Sequence, residues 1–294
     1  MTSKMDPANA VTYGAFVVAA YEMYEPGVLN PPPGPNFPND YELVATIQMS
    51  DSSSLADRQF YGFIALAKIG PAELVLALRG TENLIEWWND FHWALTPFDR
   101  VTGAGSVAVG FYDVYKTMGT MTPGQGAAES IASASIAADV ARIFREAAAL
   151  DAADAAPSFM TGHSLGAGLL TMLILDMMTN EKPATLPSVY TFASPRVGDA
   201  EFAAAYDALF SGSSSSAGSL RIANVFDVVP MFPIDPPYRH VQSEMLIDSY
   251  GKAYFSIACN HALNTYLHVL APAWPLTGCA PTMLDARRRV LHTL

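Results

Sequence analysis

Cysteine, charge and long apolar runs are all scarce in this sequence, and each scarcity excludes a class of protein. The two cysteines, Cys259 and Cys279, are too few for a disulfide framework, and they are compatible with one bridge or with two unrelated thiols. No apolar run approaches the roughly 20 residues that span a bilayer, so we expect a soluble chain without a transmembrane segment. Charged residues make up only 15% of the chain. Hydrophobic residues make up 51%, which supplies enough apolar side chains for a large core.

Positive charge is the scarcer sign, because 16 Lys and Arg stand against 28 Asp and Glu, a formal net charge of −12. This excess argues against nucleic acid or an anionic membrane as a partner and leaves neutral substrates open. A signal peptide would need a longer uninterrupted apolar centre, and Asp6, Pro7 and Tyr13 interrupt it. The apolar stripe over Met1–Tyr24 instead predicts an amphipathic helix. We therefore expect either a cytoplasmic protein or the mature form of a secreted one.

The most informative stretch is Gly162-His163-Ser164-Leu165-Gly166, which has the pattern Gly-x-Ser-x-Gly between a short apolar run and a helical pattern. A strand, a sharp turn and a helix in this order form a nucleophile elbow, which exposes the serine hydroxyl at the edge of a sheet. The helix predicted from about Gly166 to Met178 points its free amides at the serine, and the Leu165 amide is the natural first donor to an oxyanion.

Strand and helix patterns alternate along most of the chain, and the βαβαβ rhythm predicts an α/β fold with a mostly parallel sheet flanked by helices. We expect one domain over residues 1–294. The predicted elements are two adjacent strands (Phe60–Lys68 and Glu73–Leu78), an aromatic segment covering the core near the site (Val107–Tyr115), a long helix (Ala127–Leu150), a strand (Val189–Ala193), a helix (Asp199–Phe210), a serine-rich loop (Ser211–Ser219) and a strand (Leu220–Phe226).

A serine hydroxyl needs an imidazole to take its proton and a carboxylate to orient that imidazole. On sheets of this type the partners follow in the order serine, acid, histidine. Asp227 ends a predicted strand and is the favoured acid, with Asp235 and Asp248 as competitors. His261, at the start of a helical pattern, is favoured over His240 as the base. We place His268 in the core or at the rim, and His292 in a solvated tail.

A second oxyanion donor must come from a loop after another strand, and Arg79-Gly80-Thr81 directly follows the strand that ends at Leu78. A glycine followed by a hydroxyl residue supplies a close backbone and a side-chain donor. Thr81 is therefore the candidate, beside the Leu165 amide. The alternative for Thr81 is an ordinary strand-to-loop turn.

Several motifs, in this order and spacing, resemble the class 3 lipase family over about residues 70 to 270. They are Arg79-Gly80-Thr81 with Trp87 and Asp90, the run GHSLGAG from Gly162, the run TFASPRVG from Thr191, and Asn224 with Asp227, Val229 and Pro230. The resemblance implies an α/β-hydrolase fold and hydrolysis of carboxylic esters, commonly acylglycerols, with no cofactor or metal. It implies Ser164 as nucleophile, Asp227 as acid and His261 as base, with Thr81 and Leu165 forming the oxyanion hole.

The sequence departs from the family pattern at two positions: Ala108 stands where the family often has histidine, and Ala193 where it has glycine before Ser-Pro-Arg. Neither is a triad position, so we expect altered packing and retained activity. The resemblance also places a helical lid at about residues 82–91, where Trp88 is either a lid residue that meets lipid or a core residue, and Trp87 fits the core better. We further expect Met231 and Phe232 to form an apolar wall of the acyl pocket.

The expected activity is that of a triacylglycerol lipase, with a lipid or small ester as substrate. A phospholipase A1 or an esterase for small or aryl esters would use the same site, because pocket size is not legible in sequence. A non-catalytic lipid-binding module is a more distant alternative, and a peptidase a poorer one. The oligomeric state is left open.

Overall fold

The computed structural model describes residues 6–50, 57–81, 91–126, 135–149, 158–211, 217–241 and 243–281. The strands within these ranges are β1 (Tyr41–Met49), β2 (Gln59–Ala67), β3 (Leu74–Leu78), β4 (Leu95–Pro97), β5 (Ser106–Ala108), β6 (Gly119–Met121), β7 (Ser158–His163), β8 (Ser188–Phe192), β9 (Gly198–Asp199), β10 (Ser219–Asn224), β11 (Tyr238–Arg239) and β12 (Ser243–Ile247). The α-helices are α1 (Pro7–Met23), α2 (Val109–Thr117), α3 (Ile136–Ala148), α4 (Leu165–Asp176), α5 (Ala200–Phe210), α6 (Ile257–His261) and α7 (Leu263–Leu270).

Eight strands form the main sheet, in the order β12-β10-β8-β7-β3-β2-β1-β6. The five strands from β12 to β3 are mutually parallel, and β2, β1 and β6 continue the sheet in antiparallel fashion. A smaller sheet has the order β11-β9-β5-β4. The predicted α/β fold with a mostly parallel sheet is therefore confirmed, and the two strands predicted around Gly70 pair as an antiparallel hairpin.

Both faces of the main sheet are covered by helices, and strand β3 shows why its sequence is a continuous apolar run. Leu74, Leu76 and Leu78 point to a core packed with residues of α2 to α5, whereas Val75 and Ala77 point to a second core formed with α1 and α7. Successive side chains of a strand alternate between faces, so a central strand buried on both sides must be apolar at every position. The parallel strands end together at one edge of the sheet, which therefore gathers the loops that follow them.

The element boundaries differ from the sequence predictions in several places. The N-terminal helix begins at Pro7, where the Asp6 side chain accepts from the Ala8 amide as an N-cap. The long helix occupies Ile136–Ala148, and residues 127–134 and 150 of its predicted range lie outside the described residues. The segment predicted as Val107–Tyr115 divides between β5 and α2, because β5 pairs with β4 and β9 in the small sheet. Strand β10 ends at Asn224, three residues before Asp227.

Among the residues that the structure describes, no helix combines the length and the apolar character needed to cross a bilayer.

Candidate active site

The Gly-x-Ser-x-Gly segment forms the predicted strand, turn and helix, because β7 ends at His163 and α4 begins at Leu165. Ser164 lies between them with φ 55° and ψ −124°, a conformation that L-residues rarely adopt. The flanking positions require glycine. A Cβ atom on Gly166 would lie 2.3 Å from the Arg79 carbonyl oxygen, and one on Gly162 would lie 3.0 Å from the Gly166 backbone. The tight turn is thus fixed by strand β3 on one side and by its own helix on the other.

Ser164, His261 and Asp227 are brought together in one hydrogen-bonded line. The Ser164 Oγ lies 2.8 Å from the His261 Nε2, and the His261 Nδ1 lies 2.8 Å from the Asp227 Oδ2. All three residues are buried, with exposed fractions of 1%, 7% and 1% in the order given. A carboxylate can only accept, so the Nδ1 carries the proton and the Nε2 lone pair faces the serine hydroxyl.

The Asp227 carboxylate has two further donors. The Tyr266 hydroxyl donates to Oδ2 at 2.7 Å, and the Val229 amide donates to Oδ1 at 3.0 Å. Burial, together with the nearby Asp227, raises the pKa of Tyr266 well above its usual value, so this hydroxyl keeps its proton. These two donors and His261 together hold the carboxylate in the position that orients the histidine ring.

The backbone on both sides of the His261 peptide unit is held by buried side chains. The Asn224 Nδ2 donates to the Asn260 carbonyl at 2.8 Å, and the His163 Nε2 lies 2.8 Å from the His261 carbonyl oxygen. Cys259 is bonded to Cys279, which decides the pairing that the sequence left open. Helix α6, which ends at His261, is therefore tied to the sheet and to the C-terminal part of the described chain.

The competing residues lie in other surroundings. The His240 Nε2 lies 2.6 Å from the Pro230 carbonyl oxygen, and burial lowers the pKa of His240 to about 3. The His268 Nδ1 lies 2.8 Å from the Trp274 carbonyl oxygen. Asp235 and Asp248 are exposed, while His292 lies outside the described residues. Of the sequence candidates for acid and base, the structure places only Asp227 and His261 in hydrogen-bonded contact with each other and in line with Ser164.

The loop after β3 lies directly against the elbow. A Cβ atom on Gly80 would lie only 2.8 Å from the Ser164 Cβ, so the next residue, the half-buried Thr81, begins within reach of the same site. The first hydrogen bond of α4 runs from the Gly168 amide to the Ser164 carbonyl at 3.1 Å. The Leu165 amide therefore precedes the hydrogen-bonded ladder of α4, as first-turn amides do.

The structure describes the predicted wall of the acyl pocket but only the last residue of the predicted lid. Most of the expected lid, with Trp87 and Trp88, falls in residues 82–90, outside the described residues, and its last residue, Phe91, is buried against Phe111. Met231 and Phe232 have exposed fractions of 50% and 36%, and their role in the acyl pocket stays a prediction. Across the described residues, no group of three or more His, Cys, Asp or Glu side chains has an arrangement that could hold a metal ion.

Sequence reasoning missed three residues of the site. Tyr266 has no role in the sequence analysis, yet its hydroxyl bonds to Asp227. His163 precedes the serine and so falls outside the serine-acid-histidine order, yet its ring contacts the His261 backbone carbonyl. Tyr21 comes from α1, 142 residues before the His163 that it contacts. Only His163 carried a signal, because it precedes the nucleophile within the motif.

Comparison with proteins of known structure agrees with the fold. The nonglycosylated LIP2 lipase of Yarrowia lipolytica matches with a TM-score of 0.61 at 22% identity, over 83% of this chain and 81% of that one. The Rhizomucor miehei lipase in its propeptide complex matches with a TM-score of 0.58 at 21% identity, over 82% and 68% of the two chains. These likenesses show an α/β-hydrolase fold of the lipase type.

Comparison by sequence identifies relatives in plants and the family. The chain is 30% identical over 239 residues to phospholipase A1-II 3 of Oryza sativa subsp. japonica, which covers 73% of this chain and 54% of that protein. It is 28% identical to phospholipase A1-IIgamma of Arabidopsis thaliana, over 80% of this chain and 58% of that protein. The match thus spans little more than half the length of these relatives. The family model for lipase (class 3) matches residues 75–236, more than half of the 294 residues, and the chain therefore belongs to the class 3 lipase family.

Proposed function

We propose that this chain is a serine hydrolase of carboxylic esters that acts on lipids, with Ser164 as nucleophile, His261 as base and Asp227 as the orienting acid. The observation that carries the proposal is the unbroken line of two 2.8 Å hydrogen bonds from Ser164 through His261 to Asp227. This line begins on a strained elbow at the carboxyl edge of the parallel strands, where ligands bind in α/β sheets.

The first half-reaction acylates the enzyme. The Ser164 Oγ attacks the ester carbonyl carbon while its proton moves to the His261 Nε2, and the carbonyl π electrons move to oxygen. Asp227 stays ionised and stabilises the imidazolium. The tetrahedral adduct then collapses as the bond to the alcohol oxygen breaks. His261 returns its proton to that oxygen, the alcohol leaves, and the acyl group remains on Ser164.

The second half-reaction repeats these steps with water. The water oxygen attacks the acyl carbon while His261 takes a proton from that water. His261 then protonates the Ser164 Oγ as the fatty acid leaves. In both halves the negative oxygen requires donors, and we assign this role to Thr81 and to the Leu165 amide. The close approach of Gly80 to Ser164 and the position of Leu165 at the start of α4 support that assignment.

Two classes of lipid are candidates for the substrate. Triacylglycerol is the expected substrate from the sequence resemblance. A phospholipid cleaved in the manner of a phospholipase A1 is supported at least as well, because the plant relatives at 28% and 30% identity carry that name. A formal net charge of −12 also disfavours approach to anionic lipid surfaces, so neutral or zwitterionic lipids are the better candidates.

The test is release of fatty acid from three kinds of substrate: triacylglycerol emulsions, phosphatidylcholine vesicles, and soluble short-chain esters. Ser164→Ala serves as the blank, and a vesicle of anionic phospholipid serves as the control for charge. Turnover of emulsion or vesicle lipid that is absent in Ser164→Ala would support the proposal, and the ratio of the two rates would distinguish the substrates. Activity confined to short soluble esters would leave an esterase, whereas lipid binding without turnover would overturn the hydrolase.

A further inference from the structure

The Tyr21 hydroxyl of helix α1 contacts the candidate site. The Tyr21 hydroxyl lies 2.8 Å from the Gly80 amide nitrogen and 2.7 Å from the His163 Nδ1. Gly80 immediately precedes Thr81, and His163 immediately precedes Ser164. A single side chain, remote in sequence, therefore contacts the loop of the expected oxyanion donor and the elbow of the expected nucleophile.

The direction of each hydrogen bond in this group follows from chemistry. The His163 Nε2 lies 2.8 Å from the His261 carbonyl oxygen, which can only accept, so the Nε2 carries a proton. Burial, together with the neighbouring His261, lowers the pKa of His163 well below its usual value, so the ring is neutral and its Nδ1 is an acceptor. The Tyr21 hydroxyl must then donate to Nδ1 and accept from the Gly80 amide.

The other side of Gly80 is held by Arg79, which packs against Tyr24, the residue that follows α1. The Arg79 Nη1 donates to the Gly80 carbonyl at 2.9 Å. The Arg79 guanidinium lies between two aromatic rings, 3.8 Å from the centre of Tyr24 and 4.1 Å from that of Tyr61. The Gly80 carbonyl and the Thr81 amide belong to one planar peptide, so holding the carbonyl fixes the direction of the Thr81 N–H.

Hydrogen bonds connect the Gly80 amide to the Tyr21 hydroxyl, that hydroxyl to the His163 ring, and the ring to the His261 carbonyl. We propose that Tyr21 is a positioning residue, whose hydroxyl holds the Gly80–Thr81 segment in register with Ser164 and His261. The inference rests on the proposed function, since it assigns Tyr21 to the geometry of the same reaction. A displacement of an oxyanion donor lowers the rate of the chemical step more than it weakens substrate binding.

The experiment compares Tyr21→Phe with Tyr13→Phe, both measured for kcat and KM on a soluble ester and for Tm. Tyr13 is the matched control because it also lies on α1, and its hydroxyl donates to Glu73 at 3.3 Å, away from the site. We expect Tyr21→Phe to lower kcat by about 10-fold to 100-fold with KM changed less than about threefold, since loss of a whole oxyanion donor costs about 100-fold or more. Tyr13→Phe should leave both constants within about twofold, a change typical of sites away from the chemistry.

A histidine-ring ¹⁵N NMR measurement tests these hydrogen bonds independently of turnover. The wild-type spectrum should show His163 neutral, with Nε2 protonated, and Tyr21→Phe should shift the Nδ1 resonance while leaving Nε2 protonated. The opposite tautomer in the wild-type chain, or an unmoved Nδ1 resonance in Tyr21→Phe, would overturn the proposal. If Tyr21→Phe does not fold, the wild-type tautomer tests the hydrogen-bond directions alone: a protonated Nε2 supports Nδ1 as the acceptor for the Tyr21 hydroxyl, and a protonated Nδ1 overturns the proposal.

The kinetic outcomes separate this inference from the proposed function. An unchanged kcat in Tyr21→Phe, or equal losses of kcat and Tm in both variants, would refute a positioning role while hydrolysis by the wild-type chain still stood. A wild-type chain with no esterase activity would refute the proposed function and with it the kinetic role. The NMR shift would then report only whether the Tyr21 hydroxyl bonds to His163.

Discussion

The acid of the triad and the segment that follows it are close in sequence but are held in opposite ways. Asp227 is 1% exposed and accepts three hydrogen bonds, from His261, Tyr266 and Val229. Ile234, seven residues later, is 67% exposed, and Met231 between them is half exposed. The groups expected to perform the chemistry are thus each fixed by several buried contacts, whereas the groups expected to meet the lipid are apolar and exposed. Substitutions in the first region should therefore change rates for all esters alike, and those in the second should change preference.

The largest expected effect is that of Asp227→Asn, which removes the carboxylate that fixes the His261 tautomer. We expect kcat to fall by about 10⁴-fold for short and long esters equally, with the circular dichroism spectrum retained. Asp248→Asn, at an exposed position, is the control and should retain full activity. A loss of less than about tenfold in Asp227→Asn would mean that another carboxylate orients His261.

Removal of the disulfide should separate stability from chemistry. Cys259 and Cys279 close a loop with a sequence separation of 20, and a bridge over such a loop contributes about 3 kcal/mol to the free energy of unfolding. The double variant Cys259→Ser, Cys279→Ser should unfold at lower denaturant concentration while kcat at 25 °C changes little, because Asn224 and His163 still hold the His261 backbone. A collapse of kcat in the folded double variant would show that the hydrogen bonds alone do not position His261.

Tyr266→Phe should produce a smaller loss in rate. The variant leaves Asp227 with one donor fewer and the Asn224 amide without its 3.1 Å partner oxygen. A hydrogen bond to a charged group is worth about 1.5–3 kcal/mol, so we expect kcat/KM to fall by about 10-fold to 150-fold, to the same extent for every ester. Tyr190→Phe, another buried hydroxyl on the same face of the sheet, should leave kcat/KM unchanged. Equal effects of the two variants would assign Tyr266 to packing alone.

The smallest effect on rate should come from Met231→Ala and Phe232→Ala, which change the exposed apolar segment after the acid. Activity on a short soluble ester should stay near that of the wild type, while the ratio of long-chain to short-chain activity shifts by about tenfold or less, as expected for contacts to a few methylene groups. Ile69→Ala is the control, because Ile69 is exposed in the β2–β3 turn at the opposite edge of the sheet. An unchanged chain-length ratio would remove these two residues from the acyl pocket.

Local sequence patterns predicted the fold class and the nucleophile elbow at Ser164, because both depend on residues that are neighbours in the chain. Apolar runs, helical spacing and the two glycines around Ser164 each act within about one element, and the structure agrees with them. The order of serine, acid and histidine left several candidates, and placement at a strand end and at a helix start favoured Asp227 and His261, which the structure brings into line with Ser164.

Contacts between distant elements were not legible in the same way. Nothing in α1 marks Tyr21 as a neighbour of His163, since the helix pattern reports only which face is apolar. The pairing of Cys259 with Cys279 likewise depends on how α6 packs beside the residues around Gly278. Ala193, which stands where the family pattern has glycine, adopts φ 52°, a left-handed backbone that glycine adopts more readily.

The most direct test of the central claim is covalent labelling with an alkyl phosphonate ester that reacts with activated serines, followed by peptide mass spectrometry. If Ser164 is activated by His261 and Asp227, one equivalent of label should appear on the peptide that contains Ser164, and Asp227→Asn should react far more slowly. Absence of label, or label on another residue at the same rate in both proteins, would contradict the account.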